Sequence, residues 1–239
     1  MGRSGKMRQL SKRLRCIADR IPQGARVADI GTDHALLPVY LVTSGISPFC
    51  IGVEVNEGPF EAARKQIENS GLTDKISLRK GDGLLAVDSG EVDVVVIAGM
   101  GGALIRQILV NGMERLKGVK ALLLQPNVDA PLLRRFGVEY GFMLVEEVIV
   151  EDGGEFYEIL SFVPGTGPLP YQRLSLPLEY QWMFGPYLLQ KKGEAFLKKW
   201  ERELEKVEKI LSSLRHGETE MAREKRRAFQ KKGNGSRRY

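Results

Sequence analysis

Five short clusters of acids, glycines and amides punctuate the first 130 residues: Asp29-Ile30-Gly31-Thr32-Asp33-His34, Glu54-Val55, Gly81-Asp82-Gly83, Ala98-Gly99-Met100-Gly101-Gly102 and Gln125-Pro126-Asn127. Glycine lets a backbone pass close to a ligand. A dinucleotide needs G-x-G-x-x-G so that its pyrophosphate can lie against the chain. The first cluster has instead two carboxylates, Asp29 and Asp33, which repel phosphate and suit an ammonium. The methionine end of S-adenosylmethionine (SAM) carries an ammonium and no phosphate. Charge type therefore points to SAM rather than NAD, and away from a P-loop. Thr32 and His34 share the same turn and are taken as cofactor contacts with Gly31. Glu54 follows Gly31 by 23 residues, the spacing at which an acid accepts ribose hydroxyls, and Val55 lies beside it. Asp82 can accept the amino protons of an adenine while Gly83 leaves room for its ring. Gly99 and Gly101 allow close approach around Met100, an apolar wall for a flat base or a sulfonium. Gln125 and Asn127 can read the pairing edge of a base or simply cap a helix. Plainer readings stand beside these: an acid at a strand end, Asp33 as a helix cap, Asp82-Gly83 as an ordinary turn.

The elements that must carry these clusters follow from periodicity. Residues 27–31, 48–55, 76–82, 92–99 and 120–127 read as buried strands, each running into one of the clusters. Helices are expected over 8–20, 34–44, 58–70, 102–117 and 129–140. Residues 142–165 then read as two strands around Asp152-Gly153-Gly154. Five strands alternating with helices predict a doubly wound parallel sheet, and its ligand site lies at the carboxyl ends of the strands. The closing hairpin suits the Rossmann-like, seven-stranded sheet of class I SAM-dependent methyltransferases.

Pro164, Gly165, Gly167, Pro168 and Pro170 mark a linker. Domains are expected at 1–165 (cofactor-binding), 166–220 (helical) and 221–239 (a frayed basic tail). Leu197, Trp200, Leu204, Val207, Leu211 and Leu214 form a coiled-coil-like seam. A shorter stretch at 177–191 would pack on it through Trp182 and Leu188. Three heptads are short for an oligomer, and a monomer is expected. The net charge of +6 is uneven: residues 1–20 carry seven Lys or Arg against one acid, and residues 221–239 eight against one. An acidic body with basic ends fits a protein that holds a polyanion. No long uncharged apolar run or apolar-cored leader is present, so no membrane span or secretory signal is expected. Cys16 and Cys50 make no metal or disulfide pattern, so no metal is expected and a reducing cytoplasm is the natural location.

DIGTDHALLP (29–38), GVEVNEGP (52–59), KGDGL (80–84), IAGMGG (97–102) and LLQPN (123–127) resemble the TrmK-type bacterial tRNA (adenine(22)-N1)-methyltransferases. The resemblance spans residues 8 to 215, with the tail after 221 outside it. It departs at Leu36, where the family commonly has Tyr. It implies the SAM fold with a coiled-coil-like helical domain, tRNA as partner, and cofactor contacts at Asp29, Gly31, Glu54, Asp82, Gly83, Gly99 and Gly101. It also implies methylation at N1 of an adenine that is unpaired or flipped out. Asp33 is then the first candidate to act at the exocyclic amine, and Asn127 the second, as a base-orienting amide. Two alternatives are another base or adenine N6 as the methyl acceptor, and a non-catalytic RNA-binding protein on a degenerate SAM fold. An NAD-linked oxidoreductase is disfavoured by the missing glycine pattern.

Overall fold

A computed structural model describes residues 10–166, 169–172 and 174–213. Its strands fall where the apolar runs place them: β1 (Val27–Ile30), β2 (Cys50–Glu54), β3 (Ile76–Lys80), β4 (Val94–Gly101), β5 (Ala121–Val128), β6 (Phe142–Asp152) and β7 (Glu155–Pro164). They form one seven-stranded sheet in the order β3-β2-β1-β4-β5-β7-β6. β1 to β5 run parallel, and β7 pairs antiparallel to both β5 and β6.

The sheet is buried on both faces. Along β4, Val94 and Val96 join one apolar cluster while Val95 and Ile97 join the other, the alternation that a pleated strand imposes. One face is covered by α1 (Lys12–Ala18), α2 (Leu36–Thr43) and α3 (Glu57–Asn69), through Ile17, Leu37, Leu41, Ala63 and Ile67. The other takes α4 (Gly102–Asn111) and α5 (Ala130–Tyr140), through Ile105, Leu109, Leu133 and Phe136. Cys50 is a buried free thiol in this core, and burial pushes its pKa up to about 12.

The helix expected over 102–117 ends at Asn111, with a separate 3-10 turn at Met113–Leu116, and two further helix expectations change. The helix expected from residue 34 starts only at Leu36, because His34 and Ala35 adopt left-handed backbone with φ of 54° and 51°. The stretch expected as one helical piece at 177–191 belongs to the first compact unit. It forms α7 (Leu178–Phe184) and α8 (Pro186–Lys191), which pack on the sheet domain after the short α6 (Leu169–Gln172). The reason is a buried ionic cluster. Arg134 of α5 is fully buried, its Nε donates to Glu147 at 2.6 Å, and its Nη2 pairs with Glu158. Its Nη1 donates to the Trp182 carbonyl at 2.7 Å, and Glu147 accepts from the Tyr187 N–H at 3.0 Å. A buried guanidinium and carboxylate need every such partner, so the charges on α5 and β6 capture the backbone of α7 and α8.

The chain accordingly divides into compact units at Met1–Lys192 and Gly193–Tyr239. In the second, a helix runs from 194 to at least 213. Its seam positions Leu197, Leu204, Val207 and Leu211 are each about half exposed. Leu214 and the basic tail lie outside the described residues, as do residues 1–9. Among the described residues no helix is long and apolar enough to cross a membrane.

Candidate active site

The carboxyl ends of β1, β2, β3 and β4 enclose a cavity of about 350 Å³, within the size range of small-molecule sites. Gly31, Asp33, Glu54, Val55, Asp82, Gly83, Gly99 and Met100 all line it. These eight are all expected at one ligand from the sequence, and the parallel register brings them together: Asp29 stands opposite Gly52, Ile30 opposite Ile97 and Glu54 opposite Lys80.

The glycines have separate reasons. Gly31 has φ +76°, and a Cβ there would overlap the methyl of Met100. Gly83 has φ +56°, and a Cβ would stand 2.9 Å from Ile108. Gly99 has φ +79° and bulges out of the β4–β5 ladder, whose register shifts there. A bulge leaves backbone groups unpaired, and the two amides of β5 repair it. The Gly99 N–H donates to Gln125 Oε1 at 3.0 Å, and its carbonyl accepts from Asn127 Nδ2 at 2.8 Å. Gln125 Nε2 donates to Asn127 Oδ1 at 3.3 Å, which locks the pair. Gly102 makes room for the Asp129 carbonyl at the start of α5. Gly101 has no such constraint: a Cβ there would meet only Val128, at 3.8 Å, and the residue lies outside the lining.

The carboxylates differ in environment. Glu54 is buried, and its Oε1 accepts the N–H groups of Val55 and Asn56 at 2.9 and 2.8 Å. The lone pairs of Oε2 then remain to take a pair of hydroxyls. Asp33 stands at the mouth with a largely exposed side chain, 3.5 Å from His34 Nε2. Asp29 is buried beneath the cavity rather than in its lining. Burial pushes its carboxyl up to about 6, only partly offset by Thr32 and the charge of Arg13, and Asp33 adds to the rise. Thr32 is fully buried against Gly52. Thr32, His34 and Asn127 are likewise not in the lining. The left-handed His34 and Ala35 store strain, on the order of 1–3 kcal/mol per residue, in the turn that aims Asp33.

Five lining residues lie outside the five clusters: Val53, Asn56, Leu104, Ile108 and, alone among them in carrying a charge, Arg13. Arg13 reaches the cavity from α1. Its Nη1 pairs with Gln125 Oε1, its guanidinium lies 5.3 Å from the Tyr157 ring centroid, and its backbone N–H donates to Asp152 at 3.0 Å. A signal for it does exist in the sequence. Arg13 falls three residues after Leu10 and four before Ile17, a charge placed in an apolar helical stripe.

The donor set fits SAM. The sheet order sets the β3 end with Asp82 and Gly83, the β2 end with Glu54 and the β1 and β4 ends with Gly31 and Gly99 side by side along the cavity. The adenine, ribose and amino acid of the cofactor ask for those chemistries in that order.

The chain is similar to known proteins over most of its length. The family profile described as TrmK, tRNA (adenine(22)-N(1))-methyltransferase, matches residues 27–234. It thus covers most of the basic tail, which the sequence motifs leave outside the family. The tRNA (adenine(22)-N(1))-methyltransferase of Bacillus subtilis is 43% identical over 206 residues, 86% of each chain. The crystal structure of B. subtilis TrmK superposes with a TM-score of 0.80 at 42% identity, covering 86% of this chain and 87% of that one. A Streptococcus pneumoniae relative crystallised in complex with S-adenosyl-L-methionine gives 0.78 at 40% identity, over 84% and 91%. The fold, the lining of the cavity and these likenesses agree: the chain belongs to the TrmK family of tRNA (adenine(22)-N(1))-methyltransferases.

Proposed function

We infer that this protein methylates N1 of adenosine 22 in tRNA with SAM as the methyl donor. The observation that carries the reading is one cavity, at the carboxyl ends of parallel strands, lined together by Gly31, Glu54, Asp82 and Gly99. Glu54 would hold the ribose hydroxyls, Asp82 the adenine amine, and the Gly31 and Gly99 turns the amino-acid end. Bound there, SAM supplies an electrophilic methyl group on a sulfonium.

N1 of adenine presents an in-plane lone pair at neutral pH, so no base is needed to expose it. The protein's work is to orient that lone pair and exclude water. Methylation leaves the ring cationic. Asp33, exposed at the mouth, is the carboxylate placed to stabilise that charge and to take up a proton from the exocyclic amine. Asn127 is tied to the Gly99 carbonyl, and its second amide proton is the candidate to orient the base. N1 lies on the pairing edge, so the target must leave its pair or be unpaired. The basic N-terminus, the helical unit and the basic tail are the candidate grips for the RNA backbone. A monomer acting on tRNA in the cytoplasm is the working unit of this reading.

The test is transfer of labelled methyl from SAM to unmodified bulk tRNA, followed by nucleoside analysis. 1-Methyladenosine is expected. A different methylated nucleoside alone would keep the fold reading and remove the substrate reading.

A further inference from the structure

We propose that the target adenine lies flat on an apolar ledge made by Val128 and the bare backbone of Gly101, at the paired ends of β5 and β4, so that Gly101 serves the substrate rather than the cofactor. The assignment rests on the adenine N1 reading and names the surface that the face of the base would meet. It starts from a glycine without a reason of its own. Gly101 has φ −68° and ψ 146°, extended backbone that any residue adopts. Among the described residues, a Cβ there would meet only Val128, at 3.8 Å. As the residue before α4, it would cap the helix better as Ser, Asn or Asp. Neither strain, packing nor capping requires glycine here, and what remains is close approach of a group from outside the chain. The cofactor cavity does not supply that group, since Met100 lines it and Gly101 does not.

Its ladder partner departs from expectation in the opposite sense. Val128 stands opposite Gly101 and is 61% exposed, although it ends a strand that is buried over 122–126. The backbone beneath it is fixed. The Val128–Asp129 peptide is pressed against Gly102, where a Cβ would fall 2.3 Å from the Asp129 carbonyl oxygen and 3.0 Å from that of Val128. Valine is β-branched and stiff at χ1, so the side chain offers a rigid apolar face. The ledge adjoins the cavity, because Met100, which precedes Gly101, is part of the lining. It also adjoins Asn127, whose amide is already tied to the Gly99 carbonyl. A base taken out of its stack is held by apolar contact on its face and hydrogen bonds on its edge. Val128 and Gly101 supply the first, and Asn127 the second.

The test compares wild type, Gly101→Ser and Val128→Ala on two versions of one tRNA, intact or abasic at position 22, with binding measured in the presence of S-adenosylhomocysteine. Gly101→Ser should fold as stably as wild type and bind S-adenosylhomocysteine within about twofold of it, because serine caps a helix at least as well as glycine. Wild type should hold the intact tRNA about tenfold more tightly than the abasic one, the worth of one aliphatic side chain covered by a ring. Both substitutions should erase that preference by weakening the intact complex alone, and should lower kcat/KM for methyl transfer by about tenfold or more. If either variant weakens both tRNAs equally, the residue touches the RNA elsewhere and the assignment falls. It falls too if either variant keeps the preference, or if wild type shows none. Should Gly101→Ser lose S-adenosylhomocysteine affinity in step with turnover, Gly101 is a cofactor contact and the ledge is contradicted. Wild type that leaves adenosine 22 of the intact tRNA unmethylated would remove the N1 reading itself, a result separate from all of these.

Discussion

At the residue scale, two aspartates four positions apart stand in opposite surroundings. Asp29 is buried and its carboxyl is lifted from 3.8 to about 6 by that burial. A folded value above the unfolded one means that ionisation opposes folding above pH 6, and that stability is gained as pH falls from 6 towards 4. Asp29→Asn should therefore stabilise the ligand-free protein at pH 7.5 by about 2–3 kcal/mol, with no gain left near pH 4. Denaturant unfolding at the two pH values checks this. A cationic ligand end favours the ionised form, so SAM affinity of the wild type should fall between pH 7 and pH 5, and Asp29→Asn should flatten that profile. Asp33 stands exposed at the mouth, where substrate can meet it. Asp33→Asn should lower turnover by about 10²-fold or more while SAM and tRNA dissociation constants stay within about threefold. Parallel loss of binding and turnover would assign the damage to the turn rather than to chemistry.

At the element scale, the five parallel strands are legible in the sequence because each is a short apolar run that breaks into a cluster of acids, glycines or amides. Glu54 is read from its spacing after Gly31 and Asp82 from its place after the third strand, each with the other clusters beside it, and both line the cavity. Three features are not legible. His34 and Ala35 open what reads as a continuous helix, yet the turn holds them left-handed and delays α2 to Leu36. Gln125 and Asn127 suggest base recognition or a cap, and their principal partners are at the bulge around Gly99, a tertiary need invisible along the chain. Helices α7 and α8 read as company for the C-terminal seam because the sequence does not reveal that Arg134, Glu147 and Glu158 meet inside the first unit. Burial alone works against the Arg134 charge, and Glu158 and Glu147 hold it protonated well above its ordinary value. Removing that charge strands two buried acids. Arg134→Met should cost about 3–5 kcal/mol in urea unfolding, and a loss under about 1 kcal/mol would show that α7 and α8 are held by packing instead.

At the scale of the whole molecule, basic ends flank an acidic body, the charge pattern expected of a protein that holds a polyanion. Residues 221–239 carry eight Lys or Arg against one acid, and the family match runs through 234. Deleting 221–239 should weaken tRNA binding and flatten the plot of log affinity against log salt, by roughly 0.7–0.9 for each phosphate that the tail no longer neutralises. An unchanged slope would leave the tail without a part in binding. The central claim is the reaction and its position. It is tested most directly with two unmodified transcripts of one tRNA, carrying adenosine or guanosine at position 22, incubated with enzyme and SAM and mapped by reverse-transcription stops. The expected result is a single stop at position 22 in the adenosine transcript, absent from the guanosine transcript and absent when Glu54→Ala replaces the wild type. A stop elsewhere, or one that persists with guanosine at 22, would contradict it.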